Sequence, residues 1–441
     1  MKRARFLAVG IAAALALTAC GDDDDTTEPE ADETAAAPEP ADIRVWLTPD
    51  TIPVIGDYLT ATFEEQNPSS TLTIEEQPWE GLVDRVTTAA TSESDTPDVV
   101  ELGNTQASSF TFAGAFTDLS DLESDLGGDD LLPGLVTSGT ADDKLYAAPY
   151  YAGSRIVFYR KDLLAAAGLE VPTTMDEFVE AAKALKAANP EGVDGFSGFW
   201  LPGQDWRNGQ AFFWDAGGEW AVQEDGGWVN GVDTSEGIAG LTRVQDIFTN
   251  ASGAPKDGNE ADPVTPYCAG QVGMFAAPPW VVGQLTDGII DPATQEVSAA
   301  GCPDLTTPEI LGAFTLPGSD GRAAPVMLGG SNVGVPAASQ NQELAKNVIE
   351  IMLSDEFQTL FAERGMLPAK SSLSDMLPQD EANAALGPTL ETGKVTPPAP
   401  AWGSAVEGGR VLEDLFVNLA NGGDVEQLAA DVGAQLDGLL N

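Results

Sequence analysis

Leu145-Tyr-Ala-Ala-Pro-Tyr-Tyr-Ala-Gly-Ser-Arg-Ile-Val-Phe-Tyr-Arg-Lys-Asp-Leu163 changes character halfway along. Ala147 to Gly153 is small, interrupted by proline and carries the pair Tyr150-Tyr151, so it suits an extended crossing better than a packed helix. Ile156 to Tyr159 is an apolar and aromatic run suited to a buried strand. Arg160-Lys161-Asp162 follows and opens an Ala- and Leu-rich helical segment. On this reading the chain leaves one lobe here and enters another. A loop before an ordinary strand is the alternative, and the remaining sequence has to decide between them.

Upstream, Ile43 to Leu47 alternates as a strand, and Val54, Tyr58, Leu59 and Phe63 recur at helical spacing up to Asn67-Pro68. Thr71 to Ile74 reads as a second strand, Leu82 and Val86 mark a second helix, and Pro97 to Leu102 gives a third strand. This alternation predicts an α/β lobe with a mostly parallel sheet, whose ligands sit beyond the carboxyl ends of the strands. Those ends carry Asp50, Trp79-Glu80 and Asn104-Thr105-Gln106. Trp46 can look into the cleft or fill the lobe, and packing is the preferred reading.

Downstream, Thr174 is placed to cap a helix and Glu177 to close a capping box, with Phe178, Ala181, Ala182 and Leu185 on the buried face. Nine aromatic residues from Phe196 to Trp228 are mostly core, yet Trp206 lies in polar Gln204-Asp205-Trp206-Arg207-Asn208, a context that predicts a partly exposed ring. Val272 to Phe275 is a short strand followed by Pro278-Pro279-Trp280, which puts Trp280 at the mouth of a strand-to-helix turn. Leu311 to Leu316 is another strand, and Pro325 to Pro336 a second extended crossing and strand. Ser339 and Ser354 start helices, Gly365 suits a C-cap, and Met366-Leu367-Pro368 is a third crossing. Two amphipathic helices, the second opened by Asp424, end the chain.

Met1 to Ala19 has Lys2, Arg3 and Arg5 before an apolar run too short for a permanent membrane helix, which reads as a secretion signal. Its end, Leu17-Thr-Ala-Cys20-Gly21, resembles the lipobox of bacterial lipoproteins, in which the cysteine is acylated (typically with palmitate) and becomes the new N-terminus. Residues 20–41 then form a tether: Gly21 to Ala41 holds nine acidic residues and no Lys or Arg, and cannot bury apolar surface. The expected location is the cell membrane, lipid-anchored on the extracytoplasmic side. The chain has 70 acidic and 20 basic residues; losing three basic residues with the leader gives 17 − 70 = −53. Such a surface excludes nucleic acid as a partner. There is no histidine, which removes Ser-His-Asp and Cys-His catalysis and the common histidine zinc sites. Cys268 and Cys302 are a pair in an exported chain and point to a structural disulfide, with two free thiols as the alternative.

The order of features resembles the extracellular solute-binding proteins of ABC importers, in their maltose-binding-like carbohydrate group. The residues that carry the resemblance are Tyr146 to Ala152 before Phe158-Tyr-Arg-Lys-Asp-Leu163, Ala167-Gly-Leu169, and Pro172 to Phe178, with Met175 where Trp is usual. Gly270 to Met274 with Pro278-Pro279-Trp280, Leu316-Pro-Gly318, Gly329-Gly-Ser-Asn332 with Leu344-Ala345, Arg364 to Pro368 and Pro400-Ala-Trp402 continue it, so it spans nearly all of residues 42–441. The resemblance implies a type II, periplasmic-binding-protein-like α/β fold of two lobes joined by three interlobe crossings. Residues 42–147 and 328–364 would make the first lobe, and 152–322 and 370–441 the second.

A sugar offers apolar faces to aromatic rings and a rim of hydroxyls to carboxylates, amides and arginine. The expected ligand-binding residues are Trp280 and Trp402, at family-matched positions, then Tyr150, Tyr151 and Trp206, with Trp79 at a strand end. The polar and backbone candidates are Asp50, Glu80, Asn104, Gln106, Gly330, Ser331, Asn332 and Arg364, each of which is also a reasonable cap, turn or surface residue. The implied role is capture of a carbohydrate and delivery to ABC permease subunits by a monomer held to the membrane only by lipid. It needs no catalysis, cofactor or metal. A binder of a polyamine or peptide is the alternative, since aromatics and carboxylates also hold cations; a lipid-anchored glycoside hydrolase ranks lower, because 70 acids always supply a plausible pair.

Overall fold

The computed structural model describes residues 39–441, apart from 50, 80, 91–94, 225 and 291–296. The leader, Cys20 and the tether, as well as Asp50 and Glu80, lie outside the described residues. The architecture below is that of the compact unit Pro40–Asn441.

Ala147–Ser154 and Ile156–Arg160 are both strands, buried along their whole length, and only Arg155 separates them. They belong to different sheets. The first lies inside a six-stranded sheet in the spatial order Leu367–Pro368, Ala147–Ser154, Leu328–Gly334, Val99–Gly103, Asp42–Leu47, Thr71–Glu76. The second lies inside a four-stranded sheet in the order Leu311–Phe314, Ile156–Arg160, Val272–Ala277, Ser197–Trp200. The chain therefore passes from one sheet to the other at Arg155. Burial on both faces explains why neither strand alternates apolar and polar residues.

Pro149 has no amide to give to a ladder, and the register slips opposite it, between Ser331 and Asn332. Gly330 beside the slip has φ +129°, and a Cβ there would lie 2.2 Å from the Tyr151 carbonyl oxygen, so only glycine fits.

The expected mostly parallel sheet is mixed. Asp42–Leu47 pairs in parallel with Thr71–Glu76 and with Val99–Gly103, through the helices Ile52–Gln66 and Leu82–Ala89. The other three pairings are antiparallel. Those strands are supplied by chain passing to or from the other sheet, and antiparallel pairing requires no covering crossover helix.

The helix boundaries follow local chemistry. Thr174 accepts from the Glu177 amide at 3.3 Å, while the Glu177 carboxylate reaches back one residue further than a capping box requires, to the Thr173 amide at 2.9 Å. Ser354 and Asp424 cap as read. Ser339 does not: the helix Gln342–Met352 starts after Asn341, and the Ser339 hydroxyl instead donates to buried Asp98 at 2.7 Å and accepts from the Asn341 amide. Cys268 and Cys302 form a disulfide, Sγ–Sγ 2.03 Å. Among the described residues no helix is long and apolar enough to cross a membrane.

Candidate functional site

Where the chain passes between sheets, a cavity of about 310 Å³ opens beside Arg155. Two half-buried indoles reach it. Trp200 is the last residue of the strand Ser197–Trp200, and Trp280 follows the strand Val272–Ala277 through Pro278-Pro279 to start the helix Val281–Asp287. Trp280 is carried by the four-stranded sheet yet rests against the six-stranded one. A Cβ on Gly153 would come within 2.6 Å of its ring, and the ring packs on the cluster that holds Tyr150, Tyr151 and Phe361.

The polar wall of the cavity is Arg155, Asp205, Asn208, Glu260 and Gln284. Asp205 caps the helix Trp206–Asp215: it accepts from the Asn208 amide at 3.0 Å and from Asn208 Nδ2 at 2.7 Å. Arg155 Nη2 meets Glu260 Oε2 at 2.7 Å. Arg207 lies 3.6 Å from Glu260 and 3.5 Å from Glu407, with its guanidinium 4.6 Å above the Trp206 ring. Arg207 and Glu260 sit deep in the protein, yet their side chains keep 32% and 28% of their accessible surface. Deep charges that water still reaches mark an internal cleft.

The polar network continues past Arg207 into a seam between the helix Asn104–Phe112 and the π-helical turn Trp402–Glu407. A Cβ on Gly403 would lie 3.1 Å from Gln106 Cα and from Ser109 Oγ. Glu407 accepts from Trp402 Nε1 at 3.1 Å and from the Thr105 hydroxyl. Glu413 accepts from Trp206 Nε1 at 3.2 Å. Arg410, just beyond the turn, holds φ +58°, and π turns and left-handed non-glycine residues concentrate at functional sites. Several buried polar atoms around the cavity and seam have no partner among the described residues: Asn208 Oδ1, Arg155 Nε, Gln106 Oε1, Ser109 Oγ and Glu413 Oε2. Orphaned buried groups cost about 1–3 kcal/mol each, and a ligand bearing both donors and acceptors would relieve them.

Four carboxylates and two guanidiniums share this space, and their protonation is uneven. Burial, then the adjacent Glu260 charge, hold Asp205 up at about 7. Burial raises Glu407. Burial also opposes the charge of Glu260, but Arg155 and Arg207 outweigh it and lower that group. Because the folded protein favours protonated Asp205, its contribution to stability is complete below the ordinary value of 3.8 and is lost as pH rises through about 7. Asp205→Asn keeps the cap and mimics the protonated form. Its unfolding free energy should exceed the parent's by about 2 kcal/mol at pH 5 and by about 4 kcal/mol at pH 8.5; a variant less stable than the parent at pH 8.5 would contradict this.

Of the residues expected at the site, Trp280 lines the cavity, while Gln106 and Trp402 lie on the two elements that meet at the seam. Trp206 and Trp402 are fully buried. The partly exposed ring expected at Trp206 is thus corrected: Arg207 covers one face, and Glu413 satisfies its N–H. Tyr150 and Tyr151 are buried and pack edge-on or tilted on Phe361 at 5.1 and 5.6 Å. Asn104 Nδ2 holds the Leu328 carbonyl at 3.0 Å, and Asn332 Nδ2 holds those of Leu135 and Ala147 at 2.9 and 3.2 Å. Ser331 is buried inside the sheet, and Gly330 serves the register slip. The Trp79 ring lies 3.5 Å from where a Cβ on Gly103 would stand, and Arg364 is exposed, with one bond of 3.4 Å to the Val54 carbonyl. Sequence reasoning passed over Arg155, Trp200, Asp205, Arg207, Asn208, Glu260, Glu407 and Glu413. Trp200 alone carried a usable signal, as an indole at the carboxyl end of a strand.

A larger open groove of about 770 Å³ runs between the helices Met175–Ala188 and Ser235–Asn250. Its charges are already paired, Arg243 with Asp215 and Asp176, and Lys183 with Glu180 and Asp246. The smaller cavity is the better site.

Residues 48–359 match the family model described as bacterial extracellular solute-binding protein. The diacetylchitobiose binding protein DasA of Streptomyces coelicolor is 31% identical over 448 aligned positions, covering 100% of this chain and 98% of the relative. Among solved structures, the GacH receptor of Streptomyces glaucescens, described in unliganded form and with acarbose, superposes with a TM-score of 0.73 at 20% identity, over 91% of this chain and 99% of that one. The sugar-binding protein MalE from Xanthomonas citri gives 0.73 at 21% identity, over 90% and 97%. These two likenesses establish the two-lobed fold.

Proposed function

Because this chain belongs to the bacterial extracellular solute-binding proteins, we propose that it captures an oligosaccharide between its lobes and delivers it to an ABC permease, without turning it over. The observation that carries this reading is the cavity beside Arg155, where two indoles face a wall of carboxylate, amide and guanidinium groups with bonding capacity to spare. Rings cover the apolar faces of a sugar and the polar wall binds its hydroxyls. The binding of diacetylchitobiose by a full-length relative supports a saccharide of at least two units.

In this reading residues 42–147 and 328–364 form the first lobe, residues 152–322 and 370–441 the second, and three crossings join them. The contact of Gly403 with Gln106 and Ser109 is made between the lobes, and Trp280 of the second lobe packs on the cluster that holds Phe361 of the first, so a ligand touching both sides biases the open–closed equilibrium toward closure. Cys20 carries the lipid, residues 20–41 hold the monomer off the membrane, and the outer faces meet the permease.

A thermal-shift screen against mono- to tetrasaccharides and polyamines tests the reading. A ligand at 100 times its Kd adds about 2.7 kcal/mol of stability, which a melting curve resolves. Stabilisation by saccharides is expected; stabilisation by polyamines alone would replace the sugar with a cation.

A further inference from the structure

Resting on the saccharide reading above, we infer that Arg207 is the specificity-determining residue of the cleft: it donates to an uncharged acceptor oxygen of the saccharide, and the surrounding charges reject ligands charged with either sign.

Arg207 has no hydrogen bond from its guanidinium among the described residues. Its two acidic neighbours stand at 3.5 and 3.6 Å, beyond charge-assisted bonding distance, and its flat face is held by the Trp206 ring at 4.6 Å. The guanidinium is thus fixed in plane while its fork of donors is unspent, an arrangement that suits recognition of a planar or paired acceptor. Arg207 does not line the cavity but stands behind its wall, 3.6 Å from Glu260 and with 32% of its side-chain surface accessible; on the wall itself Arg155 adds a buried unpaired Nε and Asn208 an unpaired acceptor.

Charge then narrows the ligand. A carboxylate, sulfate or phosphate on the sugar would have to compete with Glu260, whose charge already faces both Arg155 and Arg207. An ammonium would meet Arg207 and Arg155, whose open donors offer it nothing to bind. Hydroxyl and acyl-amino oxygens carry no such cost, and they accept from Arg207 while neighbouring O–H and N–H groups donate to the orphaned acceptors. Burial of Asp205 and Glu407, which favours their neutral forms, gives the site further donors at neutral pH.

The experiment is a calorimetric series with four disaccharides of matched size: N,N′-diacetylchitobiose, cellobiose, the free diamine chitobiose and a uronic-acid disaccharide. The parent protein should bind one or both neutral sugars, and bind the diamine and the uronate at least about 10-fold more weakly. Arg207→Gln should lose roughly 10- to 100-fold toward the neutral sugars, and Arg207→Lys, which keeps the charge but not the fork, should lose about 10-fold. Glu260→Gln should narrow the penalty on the uronate specifically. A melting curve for each variant separates lost recognition from lost folding, and the Lys variant carries the test should the Gln variant not fold. If no saccharide of any charge binds, the saccharide reading itself fails and this inference with it. If neutral sugars bind but a charged one binds as tightly, or if both Arg207 variants keep parental affinity, the inference fails and the reading stands.

Discussion

Trp280→Ala is expected to weaken saccharide binding by roughly 30- to 100-fold in a protein that still folds. The indole is half-buried rather than sealed, lines the cavity, and reaches from the helix start at Val281 across to Gly153 in the other sheet. On the proposed reading it serves both as a face for the sugar and as a contact that forms when the lobes meet. Losing the ring removes stacking area and leaves Gly153 and the Tyr151 region uncovered, so binding loses about 2–3 kcal/mol. Folding loses less, because much of the ring touches the cavity rather than core. Trp402→Ala is the contrast. That ring is fully buried in the cluster with Val406, Leu412 and Leu415, and its removal should cost about 3–5 kcal/mol of stability. Equal Kd values for parent and Trp280→Ala, measured by calorimetry on proteins with cooperative melts, would make Trp280 a packing residue only.

Replacing both Cys268 and Cys302 with alanine should lower stability by about 4 kcal/mol and the unfolding temperature by roughly 5 °C. The bridge spans a sequence separation of 34, and the chain entropy removed from the unfolded state by a loop of that size sets the magnitude. Its placement adds a functional consequence. The closed loop contains the strand Val272–Ala277, Trp280 and the helix Val281–Asp287, which together form one wall of the cavity. Hydrogen exchange in 272–287 should therefore accelerate more than elsewhere. A variant with unchanged stability would show that the bridge merely decorates a wall already fixed by Phe158, Tyr267 and Phe275, whose rings pack at 5.4 and 5.7 Å.

The fold was legible where composition and local geometry agreed. Ala147 to Gly153 is too proline-broken and small for a helix, and Ile156 to Tyr159 too apolar for a surface loop. The handover at Arg155 was implied by that contrast and supported by the ordered family motifs downstream. Parallel order was overread, because strand–helix alternation describes only the first three strands, and nothing local says that Leu328–Gly334 enters the same sheet antiparallel.

The cavity wall was legible in Trp280, whose strand and Pro-Pro turn fix its position from nearby sequence alone. It was illegible in Arg207 and Glu260, which are ordinary surface charges until the lobe folds them inward from separate segments. Polarity also misled in the opposite direction. Asn332 and Ser331 read as cleft residues, but they lie in a strand flanked on both sides, where an amide pins the Leu135 and Ala147 carbonyls. Trp206 read as exposed because its sequence neighbours are polar, whereas those neighbours fold over it: Arg207 stacks on its face, and Asp205 caps its helix.

The central claim is that the cavity beside Arg155 holds one saccharide. Isothermal titration of the protein with N,N′-diacetylchitobiose, repeated with neutral mono- to tetrasaccharides, measures it directly. The account predicts a saturable isotherm with one site per chain for at least one of these sugars, abolished or strongly weakened in Trp280→Ala. Absence of binding heat for every neutral saccharide at several temperatures, from protein that melts cooperatively, would contradict it.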